Sequence, residues 1–100
     1  MNPCAEGKPL VSIITVVYNG ERYIEQAILS VLNQTYAPIE YIVVDGASTD
    51  STPDILKRYS KQISVIISEP DKGIYDAMNK GLALSKGQYI GFLNADDLLI

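Results

Sequence analysis

A chain of 100 residues with 47% hydrophobic and 20% charged residues has the composition of one small globular domain. Its formal net charge of −4, with eight basic residues spread along the chain, argues against the clustered basic surface that nucleic-acid binding requires. Because the chain contains no histidine, His-based metal sites and Ser-His or Cys-His nucleophile pairs are excluded as well. Cys4 is the single cysteine, so neither a disulfide nor a Cys-ligated zinc site is expected.

The chain divides into a short N-terminal extension, residues 1–9, and one domain, residues 10–100. The extension lacks the apolar stretch of a signal peptide. No apolar run in the sequence approaches the ~20 residues that a membrane-spanning helix needs. We therefore expect a cytoplasmic protein.

Runs that are rich in β-branched and other apolar residues alternate with segments of helical periodicity. The runs predict strands at residues 10–18, 40–44, 64–68 and 88–93. Strand-helix-strand units of this length predict parallel pairing with right-handed crossovers. The predicted fold class is therefore α/β, a Rossmann-like parallel sheet with flanking helices in the order β-α-β-α-β-α-β.

Three helices are predicted between these strands: residues 21–34, a helix with Pro53 in its first turn, and residues 74–85. Each carries one stripe of apolar residues. We expect Asn19 to cap the first helix, and Gly87 to end the third in a left-handed conformation.

Polar residues follow every predicted strand. They are Tyr18 and Asn19 after the first strand, Asp45 after the second, residues 69–72 after the third and residues 94–97 after the fourth. In a parallel sheet, ligands bind beyond the carboxyl ends of the strands, where the strand order reverses. An acidic edge repels anions unless a divalent cation lies between, and Mg²⁺ binds one or two carboxylates together with phosphate oxygens. Since neither GxGxxG nor GxxxxGK[ST] occurs, this edge predicts a metal-bridged diphosphate site.

Alternation along the last extended segment selects the metal ligand. Residues i and i+2 share a face of a strand, so Asn94 and Asp96 point together. Asp96 is the predicted ligand and Asn94 a hydrogen-bonding neighbour. Asp97 becomes a second ligand only if the chain turns there.

Three spaced segments, SIITVVYN, VVDGASTDST and EPDKGIYDAMNKGLALSKGQYIGFLNADD, resemble the family-two glycosyltransferases with the GT-A fold over residues 10–97. The last segment is similar to bacterial enzymes that build capsular, exopolysaccharide or lipopolysaccharide chains. The resemblance implies an inverting transfer from a nucleotide-sugar donor, usually a UDP-sugar, to a saccharide or lipid-linked acceptor. It also implies a divalent metal, Mg²⁺ or Mn²⁺, and a full-length protein at the inner face of the membrane.

The resemblance also assigns individual residues. Val16 and Tyr18 match positions that flank the nucleotide base, with Tyr18 placed for stacking. Asp45 matches the acid that hydrogen-bonds the base, and Lys72 lies in the loop near the diphosphate. The segment 94–96 stands where the family has its D-x-D motif, whose last Asp holds the metal.

This sequence departs from the family pattern in three places. Asn94 replaces the first Asp of the D-x-D motif, which implies weaker metal attraction. Gly46 and Ala47 replace the commoner Asp-Gly pair, leaving Asp45 the only acid at that step. The family's catalytic base lies well downstream of the D-x-D motif, so it is expected beyond Ile100. We therefore expect the 100-residue chain to bind nucleotide without transferring sugar.

Other interpretations remain open from the residues alone. The chain could be a non-catalytic module that binds a nucleotide or a partner, or associates with itself, through an exposed sheet edge. A signalling receiver domain would need a pair of acids after the first strand and a Lys after a fifth strand. Tyr18 and Asn19 after the first strand, and the length of the chain, argue against it. Locally, Asp45 could cap a turn, Tyr18 could be packed, and Asp96 and Asp97 could be solvated loop acids. Asp71 is interpreted as a surface or capping charge.

Overall fold

The computed structural model describes residues 9–34 and 38–94, and within them strands and helices alternate strictly. The elements are β1 (Val11–Val17), α1 (Ile24–Leu32), β2 (Ile39–Asp45), α2 (Thr52–Arg58), β3 (Val65–Ser68), α3 (Ile74–Leu84) and β4 (Tyr89–Asn94). Every predicted element is present, and the predicted α/β class is confirmed. Among the described helices, none has the length and apolarity needed to cross a bilayer.

The four strands form one parallel sheet in the order β3-β2-β1-β4. The chain leaves β1, moves outward through β2 to β3, and returns across the sheet to place β4 on the other side of β1. The strand order therefore reverses between β1 and β4. At the carboxyl edge Val17 is in register with Asp45, Asp45 with Ser68, and Val16 with Asn94. The carboxyl ends of all four strands consequently lie along one edge.

Both faces of the sheet are covered, which explains why its strands read as continuous apolar runs. Ile13 and Val17 of β1 pack in a cluster with residues of α1 and α2, such as Ile28 and Leu56. Ile14, which follows Ile13 in β1, faces the opposite side of the sheet and packs in a cluster with Ala77 of α3. Since neighbouring strand residues point to opposite faces, β1 divides the core into two layers.

One buried polar pair lies within the larger layer. The hydroxyl groups of Thr15 and Tyr41 share a hydrogen bond of 2.8 Å, and both side chains are buried. Burial raises the pKa of Tyr41 to about 12, although the hydrogen bond with Thr15 acts in the opposite direction. The phenol therefore stays neutral and keeps the β1–β2 pair satisfied at this position.

Replacing Tyr41 by Phe is expected to lower the free energy of unfolding by about 1.5 kcal/mol, because the Thr15 hydroxyl then loses its side-chain partner in a buried site. The Thr15→Val exchange should destabilise the chain similarly. In the double variant both partners are apolar, so most of the loss should be recovered. Urea denaturation of the four proteins measures this, and additive losses in the double variant would contradict it.

The loop between α3 and β4 corrects the prediction for Gly87. Helix α3 ends at Leu84 with Ser85 extended, and Gly87 does not have a left-handed φ. Its N–H instead donates a hydrogen bond of 2.9 Å to the Ser12 hydroxyl, as the loop passes close to the amino end of β1. The glycine of this region with positive φ is Gly73, which precedes α3 with a φ of 119°.

Candidate functional site

The loops that follow β1 and β2 are joined through Asn19. This residue has a φ of 50°, in the left-handed region that Asn tolerates better than most residues. Its Oδ1 accepts a hydrogen bond of 2.8 Å from the N–H of Thr49, and its own N–H donates to the Ser48 hydroxyl at 2.8 Å. The predicted capping role is wrong, since Tyr23 is the N-cap of α1 and no side chain caps that helix. The Asn19 side chain is used between loops instead.

Two further hydrogen bonds tie the same loops. The N–H of Gly20 donates to the Thr52 hydroxyl at 3.0 Å, and the N–H of Glu21 donates to Oδ2 of Asp50 at 3.2 Å. The other Asp50 oxygen accepts from the N–H of Thr52 at 2.8 Å, at the start of α2. Desolvation by burial acts to raise the pKa of Asp50, but hydrogen bonds from Thr52 and Glu21 outweigh it and hold that pKa below its ordinary value. This edge is therefore held in place before any ligand binds.

Asp45 is completely buried at the end of β2, and both of its oxygens are occupied. Oδ1 accepts from the N–H of Ser48 at 3.2 Å and from the Ser48 hydroxyl. Oδ2 accepts from the Ser68 hydroxyl at 2.8 Å. In this conformation Asp45 closes the turn after β2 and joins it to the end of β3. A contact between Asp45 and a nucleotide base stays a prediction, in which the base joins or replaces one of these serine donors.

Asp71, in the loop after β3, lies directly against Gly46. A Cβ atom added to Gly46 would lie 2.7 Å from Oδ2 of Asp71. Oδ1 of the same carboxylate accepts from the N–H of Gly73 at 3.0 Å in a local turn, whereas helix α3 has Gly73 as its N-cap and no side-chain cap. Sequence reasoning missed the contact with Gly46. Its signal was the replacement of the family's Asp by Gly at position 46.

A lysine that sequence reasoning did not single out organises the rest of this loop. Lys80 Nζ donates to the carbonyl of Pro70 at 2.8 Å and pairs with Glu69 at 3.1 Å and Asp76 at 3.7 Å. Desolvation by burial acts to lower the pKa of Lys80, but the carboxylates of Glu69, Asp76 and Asp71 outweigh it and raise that pKa above its ordinary value. Asp76 also accepts from the N–H of Lys72 at 2.9 Å, while Lys72 itself is exposed. The predicted diphosphate-facing cation is thus free of ion pairs in the described part of the chain.

The remaining predicted residues meet where the strand order reverses. Val16 is half-buried at the end of β1 and is in register with Asn94, the last residue of β4. Tyr18, two residues after Val16, is 64% exposed, so the packed alternative does not describe it. Neighbouring strands lie about 5 Å apart, which brings these positions within reach of one ligand.

The two predicted metal ligands, Asp96 and Asp97, lie outside the described residues. Within residues 9–34 and 38–94, no group of three or more His, Cys, Asp or Glu side chains is arranged to hold a metal ion. Both carboxylate oxygens of Asp45 already accept hydrogen bonds from Ser48 and Ser68. The fit of a metal to this edge therefore depends on Asp96 and Asp97 and stays a prediction.

Comparison with known proteins gives consistent matches. The sequence model of glycosyl transferase family 2 matches residues 12–99. TuaG of Bacillus subtilis strain 168, provisionally named a teichuronic acid biosynthesis glycosyltransferase, is 46% identical over 93 residues, covering 90% of this chain and 37% of TuaG. Chondroitin synthase of Pasteurella multocida strain Pm70 is 41% identical over 93 residues, covering 91% of this chain and 10% of that enzyme.

Solved structures agree with these matches. The mannosyltransferase PcManGT of Pyrobaculum calidifontis, in complex with GDP-Man and Mn²⁺, has a TM-score of 0.83 at 30% identity, covering 91% of this chain and 28% of PcManGT. TarS of S. aureus, in complex with UDP-GlcNAc, has a TM-score of 0.77 at 27% identity, covering 86% of this chain and 26% of TarS. The chain thus spans well under half the length of these relatives. The family match over residues 12–99 shows that the chain belongs to glycosyl transferase family 2 and carries part of its GT-A fold.

Proposed function

We propose that this chain forms the donor-binding part of a glycosyltransferase that uses a UDP-sugar. The acceptor is a saccharide or a lipid-linked saccharide, and the pathway is cell-surface polysaccharide synthesis in the cytoplasm or at the inner face of the membrane. The observation that carries the proposal is the convergence of four strand ends at the reversal of strand order, with the exposed Tyr18 beside it. TarS, which has the same fold, is known with UDP-GlcNAc.

Five residues are proposed to bind the nucleotide, and Asp45 among them is proposed to hydrogen-bond the base. The exposed ring of Tyr18 offers a face on which a base can stack, and Val16 provides an apolar neighbour. Lys72 is exposed and can approach the diphosphate. Asn94, the last residue of β4, is the proposed partner of a ribose hydroxyl. Because hydrogen bonds already hold the loops after β1 and β2, little conformational entropy is lost on binding.

A divalent cation, Mg²⁺ or Mn²⁺, is the proposed cofactor, with Asp96 as its main ligand and Asp97 as the second. Hard cations of this kind combine few carboxylates with phosphate oxygens. When bound, the cation neutralises charge on the departing nucleoside diphosphate. The relative PcManGT is known with Mn²⁺ and GDP-Man together.

The proposed reaction is inverting, with a carboxylate that deprotonates the acceptor hydroxyl. No residue of this chain is assigned that role. The chain covers only 37% of TuaG, so we propose that the isolated polypeptide binds the donor without transferring sugar. Measurable turnover of a UDP-sugar by the purified 100-residue chain would contradict this part of the proposal.

The donor site is tested by thermal unfolding with UDP, with Mn²⁺ and with both. A ligand that binds only the native state at 100 times its Kd stabilises it by about 2.7 kcal/mol. We expect UDP and Mn²⁺ together to raise Tm by roughly 10 °C, and by more than the sum of their separate effects. Exchanging both Asp96 and Asp97 for Asn should remove the Mn²⁺-dependent part of the shift.

Asp54→Asn is the matched control, since Asp54 is an exposed acid in the first turn of α2 that has no proposed role in the site. This variant should respond as the unchanged chain does. If UDP and Mn²⁺ leave Tm unchanged and the chain associates with itself, the partner-binding alternative replaces the donor site. That alternative would use β4, where Ile90 and Phe92 are exposed.

A further inference from the structure

We propose that Lys80 is a positioning residue for the donor, which holds the loop after β3 (residues 69–73) in the conformation that lets Lys72 bind the diphosphate. This inference rests on the proposed donor site, in which Lys72 approaches the diphosphate, and it names the group that prepares Lys72 for that contact. The loop carries one basic residue, Lys72, and two acids, Glu69 and Asp71. Lys80 belongs to α3, the helix that follows the loop.

Lys80 holds the first half of the loop through a backbone atom. Its Nζ donates a hydrogen bond of 2.8 Å to the carbonyl of Pro70 and pairs with the Glu69 carboxylate at 3.1 Å. Proline has no backbone N–H, so its carbonyl is the group through which the main chain at position 70 can be anchored. Only 24% of the Lys80 side chain is exposed, so its aliphatic stem packs against the protein while the ammonium group reaches the loop.

Asp76 extends the same arrangement to the second half of the loop. Its Oδ2 accepts a hydrogen bond of 2.9 Å from the N–H of Lys72 and lies 3.7 Å from Nζ of Lys80, which is one helical turn further along α3. One carboxylate oxygen therefore joins the ammonium group of Lys80 to the main chain of Lys72. An exposed ion pair alone contributes little to stability, but this one is part of a network that ends on two backbone groups.

The same contacts leave the Lys72 side chain available to a ligand. Lys72 is exposed and takes part in none of the ion pairs within the part of the chain that the structure describes. Glu69 and Asp76 would otherwise compete with a diphosphate for its ammonium group, but both are paired with Lys80. Since the backbone of the loop is already held, binding a diphosphate orders mainly the Lys72 side chain. Without Lys80, we expect Glu69 and Asp76 to attract Lys72 away from the ligand.

The test compares two Kd values with Mn²⁺ present, that of UDP from calorimetry and that of uridine from its displacement of UDP. The Kd of uridine divided by that of UDP measures what the diphosphate adds to binding. We expect Lys72→Met to lower this ratio about tenfold, because one hydrogen bond between charged groups is lost. Lys80→Met should lower the ratio about fivefold and change the Kd of uridine by less than about twofold. Lys57→Met is the matched control, since Lys57 is an exposed lysine of α2 with no proposed role in the site, and it should keep the ratio.

Two further variants separate positioning from a direct effect of the Lys80 charge. In a Lys72→Met background, Lys80→Met should have little further effect on the ratio, because Lys80 acts through Lys72. A direct attraction between Lys80 and the diphosphate would lower the ratio equally in both backgrounds, and that result would contradict the proposal. Lys80→Arg keeps the positive charge and the N–H donors, so it should keep most of the ratio.

The outcomes separate this inference from the proposed function. If Lys80→Met weakens UDP and uridine equally, or lowers Tm without changing the ratio, Lys80 has a structural role only, and the inference is overturned while the donor site stands. If Lys72→Met leaves the ratio unchanged, the diphosphate contact of Lys72 is overturned together with the inference. If the unchanged chain does not bind UDP with Mn²⁺, the donor site is overturned as well.

Discussion

Replacing Gly87 by Ala is expected to lower the free energy of unfolding by about 3 kcal/mol, at the upper end of what overpacking a well-packed site usually costs. The added Cβ atom would meet Ser12 Oγ at 2.5 Å, the Ser12 nitrogen at 2.7 Å and the Leu10 carbonyl oxygen at 2.9 Å. Two of these atoms are backbone atoms, one of Ser12 in β1 and one of Leu10 directly before it, and they cannot rotate away. Thermal unfolding should show a Tm about 15 °C lower.

Gly91→Ala is the matched control within the same strand-loop region. Its Cβ atom would meet only the terminal Cδ1 of Ile13, at 3.3 Å, and that atom belongs to a flexible side chain. We expect a change below about 1 kcal/mol. Adding Ser12→Ala to the Gly87→Ala chain relieves only the hydroxyl contact, so most of the loss should remain. Equal stabilities of the Gly87→Ala and Gly91→Ala chains would show that the close approach is unimportant.

Gly87 also shows which part of the fold a sequence can and cannot predict. Strands buried on both faces are continuous apolar runs, so β1 and β2 are visible from local pattern alone, and alternation with helices implies parallel pairing. A glycine after a helix suggests a left-handed helix end by the same local logic. A glycine is needed at position 87 because the backbone there lies against Ser12, which is 75 residues earlier in the chain. A local sequence pattern cannot reveal a contact between positions so far apart.

The candidate site likewise has a part that the sequence predicts and a part that it does not. Its location followed from the rule that parallel strands present their carboxyl ends together, which brought Tyr18, Asp45 and Asn94 to one edge. The hydrogen bond from Thr49 to Asn19 and the approach of Asp71 to Gly46 did not follow. Both connect loops that are about 25–30 residues apart, and their geometry is set by how the helices pack rather than by spacing.

Asp45→Ala is expected to destabilise the chain by about 3 kcal/mol, because it removes the common acceptor of the loop after β2 and the end of β3. The hydroxyl of Ser68 and the N–H of Ser48 would lose their partner in a buried site, and the missing carboxylate would leave a cavity. Asp45→Asn keeps the shape and one acceptor, so it should cost about half as much. Urea denaturation of both variants measures these losses.

Asp71→Ala completes the comparison between the two acids. Asp71 is only half-buried and makes one hydrogen bond in the described part of the chain, so its loss should change stability by less than about 1 kcal/mol. Asp45→Asn should lose more stability than Asp71→Ala, because both oxygens of Asp45 accept hydrogen bonds in a buried site. Equal stabilities of the two variants would contradict this comparison.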